Sequence, residues 1–572
     1  MIQELVEYGK RVTKGKCKAF CEEAYTVVLA IDSEGTFKGL TSKEGSIETA
    51  RVTEHEEKNE KKIGMLSGKK GHARFLLDKG AEVLGVGKDV EKKHKAFMAV
   101  LERYREVSAM KPVFAFYNNK NELLKAVDAF AKLKTQDRNG NITFMVGTQL
   151  LLQNEEVRNA IINLYERDEQ RLKDGRVCSV CGKAYSPILD EPHGTVLMPK
   201  GQTAGSALVS FNIPVFESYG LKGNMNSSIC RDCARNYIDG LKSLLNNGHY
   251  EGEGDKRYYK YDHRVNISDN TVALFWTQKE TEFNPLILDN PPESVEVRNL
   301  FGSIWRGESK VGSIVDSEMF FSCTLSSAAA RIAVRDWTAI SLKAYKKNIA
   351  DWFKDIEILD GEGFVYSPLR LLIKATQRDP RAGEKKKGDF NSKARIGSIL
   401  WKAAIKGHSY IIPIEVLQYV LTRIWKNDKL SIERAALIKL VINRNTNKNM
   451  KSTLDEANTS VAYLCGRLFA VIESMQWKAM GSINSGVKER FFSAAASQPA
   501  YIFGTLLTKN VPIYQHKISG YLRKELNEIA GTISECGSFP QRFTPIEQGE
   551  FALGYYFQKT HKPNNEEKSI NL

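Results

Sequence analysis

Apolar residues alternate in short runs early in this chain and recur at helical spacing late in it. Residues 26–31 (Thr26 to Ile31) and 36–40 are β-prone runs separated by Asp32-Ser33-Glu34-Gly35, which predicts a hairpin. Residues 91–107 carry Phe97, Val100, Leu101 and Tyr104 at helical spacing, and 121–133 and 155–165 also read as helices. Residues 142–146 and 271–276 predict strands, and 283–297, with the pair Pro291-Pro292, a connector. From about Ala328 onward the pattern is mainly helical. Ser367-Pro368 suits an N-cap followed by Pro at the first helical position, and 392–407, 414–426 and 431–443 predict helices. After a polar stretch at 443–451, Leu454, Ala457, Val461, Leu464, Leu468, Val471, Ile472 and Met475 form one apolar stripe. Helices at 482–495, 499–507 and 513–534 follow. Thr544-Pro545-Ile546-Glu547 is a capping box opening a last helix over 545–559.

These elements predict an α+β fold. A mixed α/β domain over 1–170 is followed by a cysteine-bearing zinc-knuckle region over 171–250, then a connecting α/β region over 251–380. A basic helical region over 381–449, a helical bundle over 450–562 and a disordered polar tail over 563–572 complete the chain.

Charge changes the picture more than size does. The net charge is +15, and residues 381–451 hold sixteen Lys/Arg against five Asp/Glu, so most of the surplus sits in one region. A concentrated excess predicts a polyanionic partner, with Lys385, Lys386, Lys387, Lys393, Arg395, Lys402 and Lys406 as phosphate contacts that carry no base preference. The competing reading is a solvated charged face. No run of eighteen apolar residues predicts a membrane span. The acidic residues in the first eight positions do not fit a secretory signal. Nine cysteines, an odd number, predict a reducing compartment such as the cytoplasm. Cys323, Cys465 and Cys536 are expected to be buried small hydrophobes.

Cys178-x-x-Cys181 and Cys230-x-x-Cys233 are the sharpest local chemistry. Each pair sets two thiols on one tight knuckle, and two knuckles complete a tetrahedral site for structural Zn²⁺ with no open position for water. Gly182 follows the first pair, where a knuckle often needs a positive φ. Four free or disulfide-linked cysteines are the alternative. Between the pairs, Gly201-Gln202-Thr203-Ala204-Gly205-Ser206 leads to Asn212, small and polar residues that permit close backbone approach and polar readout, or else an ordinary turn. Ser67-Gly68-Lys69-Lys70-Gly71-His72-Ala73-Arg74 is a glycine-flexed basic loop without the spacing of a phosphate-binding Walker loop. Its cations can enter a DNA groove. No HExxH, GxSxG, paired-carboxylate nuclease or His-Asp signature is present, so no enzymatic activity is expected.

Several of these segments resemble a known family. Gly205 to Asn212, followed by Phe216-Glu217-Ser218-Tyr219-Gly220, is similar to the signature of the large subunit of type I-C CRISPR Cascade complexes. Ala73 to Asp78, Val83-Leu84-Gly85 and Lys93 to Phe97 resemble its N-terminal motifs. Thr271 to Trp276 and Ser326 to Trp337 resemble its middle, and Gly466 to Val471 and Phe551 to Tyr556 its C-terminal part. The resemblance implies a prokaryotic, cytoplasmic, non-catalytic subunit that recognises a protospacer-adjacent motif (PAM) in duplex DNA. It also implies that the subunit helps open the strands and stabilise the R-loop, and docks a helicase-nuclease effector. It implies partners in the crRNA-containing Cascade subunits (backbone, guide-processing and small subunits), in target duplex DNA and in the displaced strand. On that reading Lys69, Lys70, His72, Arg74, Gln202, Thr203, Ser206 and Asn212 are PAM candidates. The last bundle resembles the small subunit, which this family can also make from an internal start, and Met450 is a candidate start. Arg467, Lys488 and Arg490 would then contact the displaced strand. Two other classes remain open: a zinc-stabilised nuclease, and an RNA-binding scaffold indifferent to target DNA.

Overall fold

Val27, Val28, Leu29 and Ile31 put branched apolar side chains on both sides of one segment, which suits a strand covered on both faces. The computed structural model describes residues 1–15, 17–51, 66–67, 71–87, 90–170, 176–184, 193–211, 213–217, 219–253, 257–279, 318–361, 363–379, 390–426, 429–481, 485–517 and 520–561, with the backbone alone at 66–67, 71–72, 168–170, 224 and 390–393. The chain forms two compact units, Ile2–Gly194 with Val209–Gly240, and Thr195–Leu208 with Leu241–Leu572.

In the first unit, helix α1 (Ile2–Val12) precedes strands β1 (Phe20–Ile31), β2 (Phe37–Ala50) and β3 (Leu77–Asp78). Then come helices α2 (Val90–Glu102), α3 (Lys111–Asn118) and α4 (Lys120–Ala131), strands β4 (Ile142–Val146) and β5 (Gln149–Leu150), and helix α5 (Glu155–Gln170). The sheet runs β2-β1-β4-β3, with β5 on β4, and β1 lies antiparallel to β2 and parallel to β4. The predicted hairpin turn is held by Asp32, whose Oδ1 accepts from the amides of Glu34 (3.0 Å) and Thr36 (2.8 Å). The Lys38 ammonium, 2.9 Å away, and those amides bring the Asp32 pKa down to about 2. Val27, Leu29, Phe97, Leu101, Phe116 and Phe144 are fully buried in the core beneath this sheet. Helix α6 (Arg231–Asn246) continues from the first unit into the second.

The second unit contains strands β6 (Thr195–Val196), β7 (Ser206–Ala207), β8 (Gly248–Glu251), β9 (Tyr258–Tyr261), β10 (Arg264–Ser268), β11 (Thr271–Thr277), β12 (Met319–Ala328) and β13 (Arg331–Ser341). Its main sheet has the order β10-β11-β12-β13-β7-β6, and β8 pairs with β9 in a separate ribbon. The expectation of helix from about Ala328 fails here. Ile332, Val334, Trp337, Thr338 and Ile340 suit a pleated surface, and β12 supplies a full antiparallel partner for them. The expected connector at 283–297 and the tail from 563 lie outside the described residues.

Helices α7 (Leu342–Ile356), α8 (Leu369–Ala375), α9 (Phe390–Lys406), α10 (Glu415–Trp425) and α11 (Ile432–Asn445) follow. Pro368 takes the cap position of α8 and not its first turn, because its ψ of 150° is extended. Helix α9 lies on the sheet, where Trp401 Nε1 donates to Ser322 Oγ at 3.0 Å. Helix α11 is buried at every position from Arg434 to Asn443 and at Arg444, which is how a helix enclosed on all sides looks.

The last helices are α12 (Val461–Met480), α13 (Val487–Ser497), α14 (Pro499–Thr505), α15 (Gly520–Glu535) and α16 (Pro545–Thr560), with a π-helical stretch at Leu506–Asn510. Leu454 and Ala457 precede α12 in a loop, so the apolar stripe is helical only from Val461. The predicted helix over 513–534 divides into Val511–Gln515 and α15. The capping box at Thr544 and Glu547 is formed. One apolar core extends from Val265 through α7 to α11 into this bundle. Cys323 and Cys465 are buried in it as expected, but Cys536, just past the end of α15, is exposed. Among the described residues, no helix is long and apolar enough to cross a membrane.

Helices α12 and α16 meet backbone to backbone. A Cβ at Gly466 would stand 2.0 Å from the Phe551 carbonyl oxygen, and one at Gly554 2.1 Å from that of Tyr463. Gly466→Ala or Gly554→Ala should therefore destabilise the second unit by about 3 kcal/mol, the upper range of overpacking. Denaturant unfolding checks this, and a change below about 0.5 kcal/mol would contradict the contact.

Candidate metal centre and nucleic-acid interface

The first cysteine pair sits on a turn shaped by its own backbone. The Gly182 amide donates to the Cys178 carbonyl at 2.9 Å, and Gly182 has the positive φ of 70° that the sequence called for. The second pair lies at the start of α6, where Cys230 precedes the helix and Cys233 is in its first turn. The Ala234 amide donates to the Cys230 carbonyl at 2.9 Å, so the helix begins on the cysteine itself. Ser179 joins the two turns, its amide (2.7 Å) and hydroxyl (3.0 Å) both donating to the Ser228 carbonyl. The Cys230 amide donates to Cys178 Sγ at 3.2 Å.

All four sulfurs lie within 4.8 Å of one another, and none is bonded to another. Cys181 Sγ and Cys230 Sγ are 3.9 Å apart, too far for a disulfide and close to the ~3.8 Å edge of a tetrahedron with ~2.3 Å metal–sulfur bonds. Cys178, Cys230 and Cys233 are buried, and Cys181 is half-buried. Crowding splits their protonation. Cys230 accepts a hydrogen bond from Cys233 and its pKa falls to about 5, while the Cys233 donor is pushed up by the same bond. Burial raises Cys181. The positive end of the α6 dipole favours negative charge at this place. Four soft donors in this geometry fit a tetrahedral ion such as zinc, and with all four positions filled by sulfur the site would hold the fold together and activate no water.

One turn beyond Cys233 the same helix presents Tyr237, whose hydroxyl meets His193 Nδ1 at 2.6 Å. His193 is 2% exposed and its Nε2 has no hydrogen-bond partner among the described residues. Burial lowers its pKa to about 4. Nothing in the sequence marks this pair, because 44 residues separate its members. Ion pairs to Lys18 (Asp232, 2.8 Å) and Arg51 (Asp239, 3.7 Å) hold α6 beside the first sheet.

The basic candidates fare unevenly. Lys69, Lys70, Asn212, Lys385, Lys386 and Lys387 lie outside the described residues, and at His72 and Lys393 only the backbone is described. Arg74 is half-buried between Glu23 (3.7 Å) and Asp78 (3.8 Å). Burial lifts the Asp78 carboxyl to about 6 against two backbone hydrogen bonds. Gln202 and Thr203 are exposed on the turn between β6 and β7. Ser206 is fully buried and its hydroxyl donates to the Ala329 carbonyl at 3.0 Å, so it is closed to a partner.

Most described cations of the 381–451 region turn inward or find a carboxylate. Lys402 and Lys406 share Asp336 at 3.0 and 3.4 Å. Arg434 pairs with Asp379 and Arg444 with Asp355. The Lys439 ammonium donates to the Lys354 (2.7 Å) and Glu357 (3.1 Å) carbonyls at the end of α7, and burial lowers its pKa to about 8. Arg395 stays 60% exposed despite its pair with Glu415 at 2.6 Å, so it remains open to a phosphate. In the bundle, Arg467 is 6% exposed and its Nε donates to Gln558 Oε1 at 2.8 Å, which takes it out of the candidate contacts. Lys488 is half-buried over the Tyr555 (5.4 Å) and Phe492 (5.9 Å) rings. Arg490 is exposed, with its Nε 3.0 Å from the Ser485 carbonyl.

Fold and site together define a two-unit α+β protein with a four-cysteine knot and a closely packed helical end. The model of the CRISPR-associated family Cas_Csd1 matches residues 5–562, and the chain belongs to that family. No curated protein matches the chain.

Replacing Cys178 and Cys230 with Ser should remove one equivalent of bound metal and lower the unfolding temperature. Elemental analysis with thermal melts checks both, and a metal-free wild type of unchanged stability would end the assignment. For His193 the depressed pKa fixes the sign. Its contribution is complete above about pH 6.5 and is lost as pH falls from there toward about 4. His193→Gln should flatten stability across that window.

Proposed function

We propose that this chain is the large subunit of a type I-C Cascade, recognising the PAM in duplex DNA, assisting strand opening and docking a helicase-nuclease without cutting DNA itself. The observation that carries the reading is the family match over residues 5–562, which takes in every segment that resembles that subunit. Membership of a CRISPR-associated family also supports partners among other Cas proteins and a guide RNA. The division of labour is physical, in that protein groups read a short duplex signal and base pairing reads the long one. Exposed Gln202 and Thr203 and half-exposed Arg74 are the described side chains offered to that signal. The four cysteines serve as a structural zinc site, shaping the chain on either side of the segment that resembles the family signature.

Copurified with its partner subunits and guide, the protein should bind a target duplex with the correct PAM at least about tenfold more tightly than one with a scrambled PAM. Equal affinities would sink the reading. With Mg²⁺ or Mn²⁺ present, the isolated chain should leave the duplex intact. A metal-dependent cut would favour a nuclease instead.

A further inference from the structure

The ribbon of β8 and β9 pairs Tyr250 opposite Tyr259 and Gly248 opposite Tyr261, with Glu251 opposite Tyr258 and His249 opposite Lys260. Alternation therefore sorts the side chains onto two faces. One face is electrostatically closed. Lys260 Nζ lies 2.7 Å from Glu251 Oε1, the Tyr258 hydroxyl donates to Glu251 Oε2 at 2.7 Å, and the His249 ring bridges Asp262 (2.9 Å) and Glu251 (3.2 Å). The opposite face carries Tyr250, Tyr259 and Tyr261 with the Arg257 guanidinium at the loop end, and the two strands bring no carboxylate to it.

The three rings form a chain of edge-to-face contacts, Tyr250 to Tyr259 at 5.0 Å and Tyr259 to Tyr261 at 5.1 Å. Arg257 stands 4.5 Å over Tyr250 at one end, and Arg264 4.0 Å over Tyr261 at the other. Cross-strand packing accounts for Tyr259 and Tyr261, and the Tyr259 hydroxyl is tied to the Asn246 carbonyl at 2.9 Å. Packing does not account for Tyr250, which is 61% exposed, and the one carboxylate of the two strands, Glu251, lies on the other face.

We propose that this tyrosine–arginine face is a stacking platform for single-stranded DNA. Tyr250 and the exposed part of Tyr259 take base faces, and Arg257 meets the adjoining phosphate. Duplex DNA keeps its base faces stacked and has none to offer. A polyanion with free aromatic faces matches both the charge sorting and the exposed ring. The identity of the strand, one released when target duplex opens, rests on the functional reading above.

The test uses the full chain and a fluorescent oligo(dT) of about twenty nucleotides, longer than a typical single binding site. By fluorescence anisotropy the wild type should bind it, and Tyr250→Ala combined with Arg257→Ala should bind about tenfold more weakly at the same salt with an unchanged melting temperature. Tyr250→Phe, which keeps the ring, should bind like the wild type. The proposal is overturned if the wild type ignores oligo(dT), if the double variant binds it normally, if duplex binding falls equally, or if RNA of matching length and composition is preferred. PAM-dependent duplex binding by the assembled complex is measured separately. Its failure would remove the functional reading while leaving oligo(dT) binding by this face intact.

Discussion

Capture of cations inside the second unit is the constraint on which the rest of that unit depends. Arg434, Lys439 and Arg444 lie on α11, a helix with apolar neighbours on every side. A charge there is tolerable only when hydrogen-bonded and paired. Each of the three reaches a different partner: Asp379, the terminal carbonyls of α7, and Asp355. The Lys439 contact also satisfies acceptors that a helix end leaves open. Asn443 adds a bond to Asp355 (3.1 Å) and accepts from the Met450 amide (2.9 Å), so the network extends into the segment leading to the bundle. Sheet-covering helices and bundle helices are thereby fixed to one central rod.

That network also shows why local charge density alone does not place cations at the surface. Sixteen cations in 71 residues read as a surface for phosphates, because sequence records charge and not direction. Arg434, Lys439 and Arg444 face inward, Lys402 and Lys406 are drawn to Asp336 on a strand far away in sequence, and Arg395 keeps most of its surface. Arg467 is a similar case, since its place on α12 puts it against Gln558 of α16.

Legibility tracked the range of the interaction. The Asp32 turn and the Thr544 capping box depend on residues a few positions apart and were readable, and the strand at Ile142–Val146 was readable from its own β-prone apolar run although its sheet partners are distant. The two Cys-x-x-Cys turns were readable singly, and their convergence within 4.8 Å follows from the chemistry that such pairs share. Strand β13 was missed because its pairing with β12 outweighs an ambiguous local pattern. The His193–Tyr237 contact and the burial of Ser206 depend on partners that no local window contains.

The unbroken core has a consequence for any shorter product of the same message. Helix α16 turns Gly549 toward Ile438 and Ile442 of α11 and Leu417 of α10, and Trp425 of α10 stacks edgewise on Phe492 at 5.4 Å. A polypeptide beginning at Met450 would lack those lids, and buried Glu550 would lose the Lys448 ammonium. It would emerge with a greasy flank beside a carboxylate left with the Ser460 hydroxyl but no counter-charge, an adhesive surface that must find another protein to shelter it or else clump.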